Sequence, residues 1–209
     1  MASEVDICNL ALGHLGDAAN VASINPPDGS AQADHCARYY PIARDALLEM
    51  HDWSFASRRE ALVEVQSESD AWDYCYAQPN GVLTIRSVQG PADSDTFLRE
   101  PFSAETLANG AQVIYTNVPD AVLRYTGAAT SPTVFSPLFV TTLAASLASM
   151  LAGPIIKGDA GSSAAARWQT IAFGRDGRSG LYGQAASNDS AQKRTNARDT
   201  HKPAWIAGR

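Results

Sequence analysis

Apolar side chains recur at helical spacing toward both ends of the chain and at strand spacing in its middle. Val5, Cys8, Leu12 and Leu15 repeat every three or four residues behind Ser3, which suits an N-cap, with Glu4 and Asp6 in the opening turn. Gly13 and Gly16 loosen the end of this first helix, and "NPPDGS" (Asn25–Ser30) cannot continue one. Ser30 or Asp28 then caps a second helix through Met50. Its stripe includes Cys36, Tyr39 or Tyr40, Ala43, Leu47 and Met50, and Pro41 within it predicts a kink. Beyond Trp53 the period shortens. "SRREALVEVQ", "AWDYCYAQPNGVLTIRSVQG", "DTFLREPFSAETLANGAQVIYTNV" and "DAVLRYTG" contain alternating or β-branched segments, punctuated by Asn80-Gly81, Gly90-Pro91, Asn109-Gly110 and Val118-Pro119. Asn-Gly dipeptides supply positive-φ turn chemistry, so hairpins are expected.

Helical spacing returns in "SPLFVTTLAASLASMLAGPII". Ser136 caps, Pro137 fits the first position, and Leu143, Leu147, Met150 and Leu151 form the buried side. Ala144, Ala145, Ala148 and Ala152 keep this helix slim, so neighbours can approach closely. Gly153-Pro154 is expected to close it. A fourth helix reads to about Phe173, after which Gly174, Gly177, Gly180 and Gly183 recur every third residue. Either a glycine-weakened helix continues there or the chain becomes a loop, since each interior Gly costs about 1 kcal/mol against Ala. The last residues show no apolar periodicity until Trp205-Ile206 near the end.

The expected fold is therefore α+β: mainly a helical bundle of about four helices, with a small antiparallel β-sheet or hairpin insertion and an extended C-terminal arm. Residues 1–56 carry the N-terminal helices, 57–130 the inserted β region, 131–190 the C-terminal helices and 191–209 the basic arm. Charge sharpens this division. From Gln192 to Arg209 stand Lys193, Arg194, Arg198, Lys202 and Arg209 against Asp199 alone, a net of +4, so residues 1–191 hold the balance of −10 in a total of −6. A body this acidic is poorly suited to neutralising phosphates, but suits a surface that DNA must pass without sticking. The arm reads as a disordered tail or as an anchor, with Trp205 and Ile206 filling a partner's groove.

Cys8, Cys36 and Cys75 are odd in number and lack CxxC spacing, which reads as small buried thiols in a reducing compartment. The N-terminus opens acidic, unlike a signal peptide, and no run of about 18 apolar residues marks a membrane span. Phosphate-cradling, zinc-binding and nucleophile-elbow motifs are missing. His14, His35, His51 and His201 lie far apart in sequence. His51 stands near the end of the second helix, where a cation is favoured. Ser54 beside His51 and Asp52 could be drawn as a nucleophilic set, yet no oxyanion loop accompanies it. Arg58-Arg59 reads as a salt-bridging surface pair before a phosphate site. No catalytic residue, metal or cofactor is implied, and an enzyme is not expected.

Several stretches together resemble the tail tubular protein A family, the adaptors of the bacteriophage head-to-tail connector. They begin with "ICNLALGHLGD" and continue through "ASINPPDGSAQADHCARYYPIARDALLEMHDWSFASRR". Here the family's Tyr-rich helix, Arg-Asp pair and Trp-x-Phe-Ala corner fall on Tyr39, Tyr40, Arg44, Asp45, Trp53, Phe55 and Ala56. "WDYCYAQPNGVLTI", "VIYTNVPDAVLRYTG" and "FSPLFVTTLAASLASMLAGPI" resemble its tyrosine-rich strand, later strand and long alanine-rich helix. The likeness covers about residues 4–185; the glycine ladder departs from it and the basic arm lies outside it. It implies a virion protein of the neck, made in the host cytoplasm, and a closed ring of about twelve copies. The ring's partners are the portal and a tail or nozzle protein, with genomic DNA passing through the lumen unread. Lys193, Arg194, Arg198, Trp205 and Ile206 are the expected partner-binding residues, and Trp53 with Phe55 the structural corner between bundle and sheet. The alternative reading is a small DNA-binding or packaging-accessory protein that sets Arg58, Arg59 and the basic arm on phosphates.

Overall fold

A computed structural model of the chain describes residues 2–18, 20–67, 69–91 and 100–194, the last two by backbone alone. Helix α1 spans Glu4–His14 and opens on a capping box: Asp6 N donates to Ser3 Oγ at 3.1 Å, and Ser3 N donates back to Asp6 Oδ2 at 2.8 Å. Helix α2 (Ala31–Met50) is capped by Ser30, whose hydroxyl accepts from Ala33 N, and it runs on through Pro41. Asn9 ties the intervening loop to α1 by bonding both the N–H and the carbonyl of Val21.

Among the described residues the middle of the chain holds seven strands: β1 (Ser57–Ala61), β2 (Val63–Glu64), β3 (Tyr74–Ala77), β4 (Val82–Gln89), β5 (Phe102–Thr106), β6 (Gln112–Thr116) and β7 (Val122–Gly127). They form two antiparallel sheets, β1-β7-β4 and β2-β3-β6-β5. Only Leu62 separates β1 from β2, so one length of chain passes from the first sheet into the second. Among the described residues an isolated bridge pairs Val88 of β4 with Glu100, two residues before β5. Between them lies a core of Leu62, Tyr76, Val88, Ile114, Leu123 and Tyr125. Strand alternation then turns Cys75, Val113 and Tyr115 to the opposite face, where Val65, Trp72 and Leu107 cover them.

After a short 3-10 turn at Pro132–Val134, helix α3 (Pro137–Ile156) begins under the Ser136 cap, which accepts from Phe139 N. It does not stop at Gly153-Pro154 but continues to Ile156. Lys157 and Gly158, with φ of 62° and 59°, reverse the chain into α4 (Gly158–Phe173). Helix α5 (Leu181–Arg194) follows a turn at residues 174–180. Long and apolar enough to cross a membrane by length and composition, α3 here is the central helix, packed against α1, α2, α4 and α5. Its slimness is used at Gly161, where a Cβ would lie 2.9 Å from the carbonyl of Ala152; Gly lets α4 approach that backbone.

The fold is α+β, but it is not a bundle of about four helices with a small hairpin insertion. The described residues form five helices and two sheets. The fifth helix exists because the glycine ladder is split: Gly174 and Gly177 take positive φ and end the fourth helix, whereas Gly183 lies inside the next. The β region is larger than a hairpin because its two sheets enclose a core of their own. Of the arm expected from residue 191, Ala191 to Arg194 belong to α5; the rest of it, with Arg198, Trp205 and Ile206, lies outside the described residues.

All three cysteines are free and buried. Cys8 and Cys36 meet between α1 and α2, and their hydrogen bond together with burial holds the Cys8 proton on well above the ordinary thiol range. Nearby, Tyr40 is only 2% exposed, and its hydroxyl is buried with no hydrogen-bond partner among the described residues. The Arg44 guanidinium lies 5.9 Å from the ring centroid and pairs with Asp45 at 2.7 Å. An unsatisfied buried hydroxyl contributes desolvation cost without a bond. Tyr40→Phe is therefore expected to be neutral or to stabilise by up to about 1 kcal/mol in urea unfolding. A loss larger than 1 kcal/mol would show that the hydroxyl is satisfied.

Candidate interaction site at the α2 corner

A helix ends with carbonyls that lack intrahelical partners, and at the end of α2 side chains from elsewhere in the fold supply them. Arg86 Nη2, from β4, donates to the carbonyls of Glu49 and His51 at 3.1 and 2.8 Å. Tyr182 Oη, from α5, donates to the carbonyl of Met50 at 2.8 Å. Trp53 Nε1 turns back to donate to the carbonyl of Leu47 at 2.9 Å. The cation at this negative helix end is thus Arg86, held in turn by Thr126 Oγ1, beside the expected His51. Asp52 completes the link to the sheet through Arg124 at 2.6 Å.

Trp53 is 0% exposed. Its indole meets Phe139 of α3 edge-on at 5.0 Å, Tyr182 of α5 at 6.3 Å and Phe55 at 5.8 Å. Phe55 packs on Phe135 and Phe139. The two aromatic residues thus pack the end of α2 against α3, and Trp53 also receives Tyr182 of α5.

The largest feature unseen in the sequence is Asp189. It lies on α5, 8% exposed, and takes donors from a segment 135 residues earlier. Ser54 N donates to Oδ1 at 3.0 Å, Ser54 Oγ donates to the same oxygen, and His51 Nε2 lies 3.1 Å from Oδ2. A serine, a histidine and an aspartate are therefore together, with Asp189 in the place imagined for Asp52. The order is wrong for nucleophilic catalysis, in which imidazole takes the serine proton and the carboxylate orients the imidazole. Here the hydroxyl donates to the carboxylate itself. The arrangement is a latch: a buried carboxylate whose oxygens are bonded to the corner, holding α5 down.

Lys193 and Arg194 end α5, one turn beyond Asp189, and their side chains lie outside the described residues. Arg58 and Arg59 sit on β1; Arg58 lies so close over Gly127 that a Cβ there would be 2.7 Å from its Cδ. Among the described residues no group of three His, Cys, Asp or Glu side chains is placed to hold a metal ion. No protein-family model matches the chain, and no curated protein does.

Two turns that lead into the helices at this site rest on exposed carboxylates. Asp28, before α2, accepts from Ser30 Oγ and from the N–H groups of Ala22 and Ser30, which draws its pKa down to about 2. Asp176, before α5, accepts from Arg178 N and from the hydroxyl and N–H of Ser179, and is likewise lowered to about 2. Because folding depresses both values, their contribution is complete above the ordinary aspartate range near pH 4 and is lost as pH falls through 2. Carboxyl carbon NMR titration is expected to give midpoints near 2 for both residues, with denaturant stability declining between pH 4 and 2. Midpoints near 4 would contradict these bonds.

Proposed function

We propose that this chain is a structural subunit of a bacteriophage neck, an adaptor that joins copies of itself into a ring between portal and tail with DNA passing through the bore. The observation that carries the reading is the combination of the Trp53-Phe55 corner with α5. The corner holds α5 at Tyr182 and Asp189, and the sequence runs on from that helix into a basic segment with Trp205-Ile206 near its end, which suits anchoring in another protein. The resemblance to the tail tubular protein A family in the Tyr-rich helix, the corner and the alanine-rich helix supports the same conclusion. The rival, phosphate binding through Arg58, Arg59 and the arm, sits poorly with the −10 carried by residues 1–191 of a chain totalling −6.

The test is co-sedimentation with a portal ring of the cognate phage, using the full chain and a chain ending at Ser190. Binding by the full chain that weakens at least tenfold on truncation, about 1.4 kcal/mol, is the expected result. Equal binding by both chains would remove the arm from the interface, and salt-sensitive retention of DNA without portal binding would favour the rival.

A further inference from the structure

Four pairs in the chain set an aspartate or asparagine directly before glycine: Asp28-Gly29, Asn80-Gly81, Asn109-Gly110 and Asp176-Gly177. Each carries the same latent chemistry. With no side chain on the second residue, its backbone nitrogen approaches the side-chain carbonyl carbon of the first without steric hindrance. The pairs differ in how the fold holds the two reacting groups. We infer that Asn80 is a site of spontaneous modification, converting to isoaspartate and aspartate through a cyclic imide with Gly81, and that the fold selects it among the four. In the first step Gly81 N gives up its proton and bonds to Asn80 Cγ. The Cγ–Nδ2 bond breaks, and Nδ2 leaves as ammonia carrying that proton. Water then opens the imide. Cleavage at the backbone carbonyl carbon routes the main chain through Cγ, giving isoaspartate; cleavage at Cγ leaves an ordinary aspartate. Water is the only co-reactant.

At Asn109 both reacting groups are engaged. Its Oδ1 accepts from Ala111 N at 2.9 Å, and Gly110 N donates to the carbonyl of Leu107 at 2.8 Å. Attack needs the carboxamide to turn and the Gly110 proton to leave, so each bond slows the reaction by about two- to tenfold. Asp28 and Asp176 are protected differently. An aspartate closes the imide from its protonated carboxyl, but each of these carboxylates accepts three hydrogen bonds and stays ionised at neutral pH. Asn80 has neither protection. It is exposed together with Gly81, and among the described residues neither its carboxamide nor Gly81 N makes a hydrogen bond. The Gly81 carbonyl accepts from Ala128 N at 3.0 Å, which fixes the turn without engaging either reacting group. A Cβ built at Gly81 would meet no atom within 4 Å, so the space beside this nitrogen is open. The product sets a carboxylate, and as isoaspartate an extra main-chain carbon, in the link between β3 of one sheet and β4 of the other. That link lies directly before the Val82–Gly127 pair. None of this depends on the neck reading.

The full-length chain is incubated in warm neutral buffer, folded or unfolded in guanidinium chloride. Samples are followed by peptide mapping with mass spectrometry and by enzymatic methylation of isoaspartate. In the folded chain Asn80 is expected to disappear at least fivefold faster than Asn109, with isoaspartate exceeding aspartate in the product. Isoaspartate at positions 28 and 176 stays below that at position 80 throughout. In denaturant, where the turns are lost, the two asparagines react within about threefold of each other. Asn80→Gln, a substitution at an exposed position, removes the product there and leaves the Asn109 rate unchanged. Reaction of folded Asn80 no faster than Asn109 overturns the inference. So does isoaspartate appearing first at position 28 or 176, or a preference for Asn80 that persists undiminished in denaturant, which would place the selection in the local sequence and not in the fold.

Discussion

Replacing Trp53 with Ala is expected to lower stability by about 3–5 kcal/mol, the largest effect of any single substitution considered for this chain. The indole is 0% exposed, and its neighbours Phe139, Tyr182 and Phe55 come from α3, α5 and the corner itself. Those surfaces cannot collapse together into the space it leaves. The carbonyl of Leu47 also loses its donor in a place from which water is excluded. Trp53→Phe separates the two contributions: it keeps most of the packing, drops the N–H, and is expected to cost about 1–3 kcal/mol. Urea unfolding followed by far-ultraviolet circular dichroism measures both without relying on the indole as reporter. A Trp53→Ala loss under 1.5 kcal/mol would mean that the corner is only a surface feature.

Asp189→Ala is expected to cost about 2–4 kcal/mol, and to do so locally. It leaves Ser54 N and Ser54 Oγ without their acceptor and removes the partner of His51 Nε2. The buried apolar residues of α5 among the described residues are Tyr182 and Ala185, a small footprint, so the helix should open while the rest of the fold stands. Limited proteolysis is the direct readout, with new cleavage confined to residues 174–194 and the sheets still protected. Asp189→Asn keeps a carbonyl oxygen toward Ser54 but loses the charge, and should fall between wild type and Ala. Unchanged protection of α5 in Asp189→Ala would show that the carboxylate does not hold it.

The helix starts were legible in the sequence because capping is local: Ser3, Ser30 and Ser136 each satisfy an N–H three residues ahead. At the corner, Trp53 and Phe55 left packing and a subunit contact both open in the sequence, and within the chain Trp53 is buried against Phe139 and Tyr182. What escaped was long-range. Among the described residues the buried apolar positions of α5 are Tyr182 and Ala185, and its third buried position is an aspartate whose donors include Ser54, 135 residues away. No periodicity reveals that. Arg86 looks out of place in an apolar strand until its acceptors at the end of α2 are known. In the β region, Val113, Ile114, Tyr115 and Thr116 are all buried because both faces of β6 are covered, which erases the alternation of a half-exposed strand. Asn80-Gly81 looks like a hairpin turn, yet it joins β3 to β4, strands of different sheets; Asn109-Gly110 does make a hairpin, between β5 and β6.

In the proposed role the chain is a building block, and its corner is the place from which α5 and the arm reach another protein. Electron cryomicroscopy of the full chain mixed with cognate portal rings tests this most directly. A closed ring of copies stacked coaxially on the portal, with α5 facing the contact, is the predicted image. Portal rings that stay bare at saturating concentrations of the chain would contradict it.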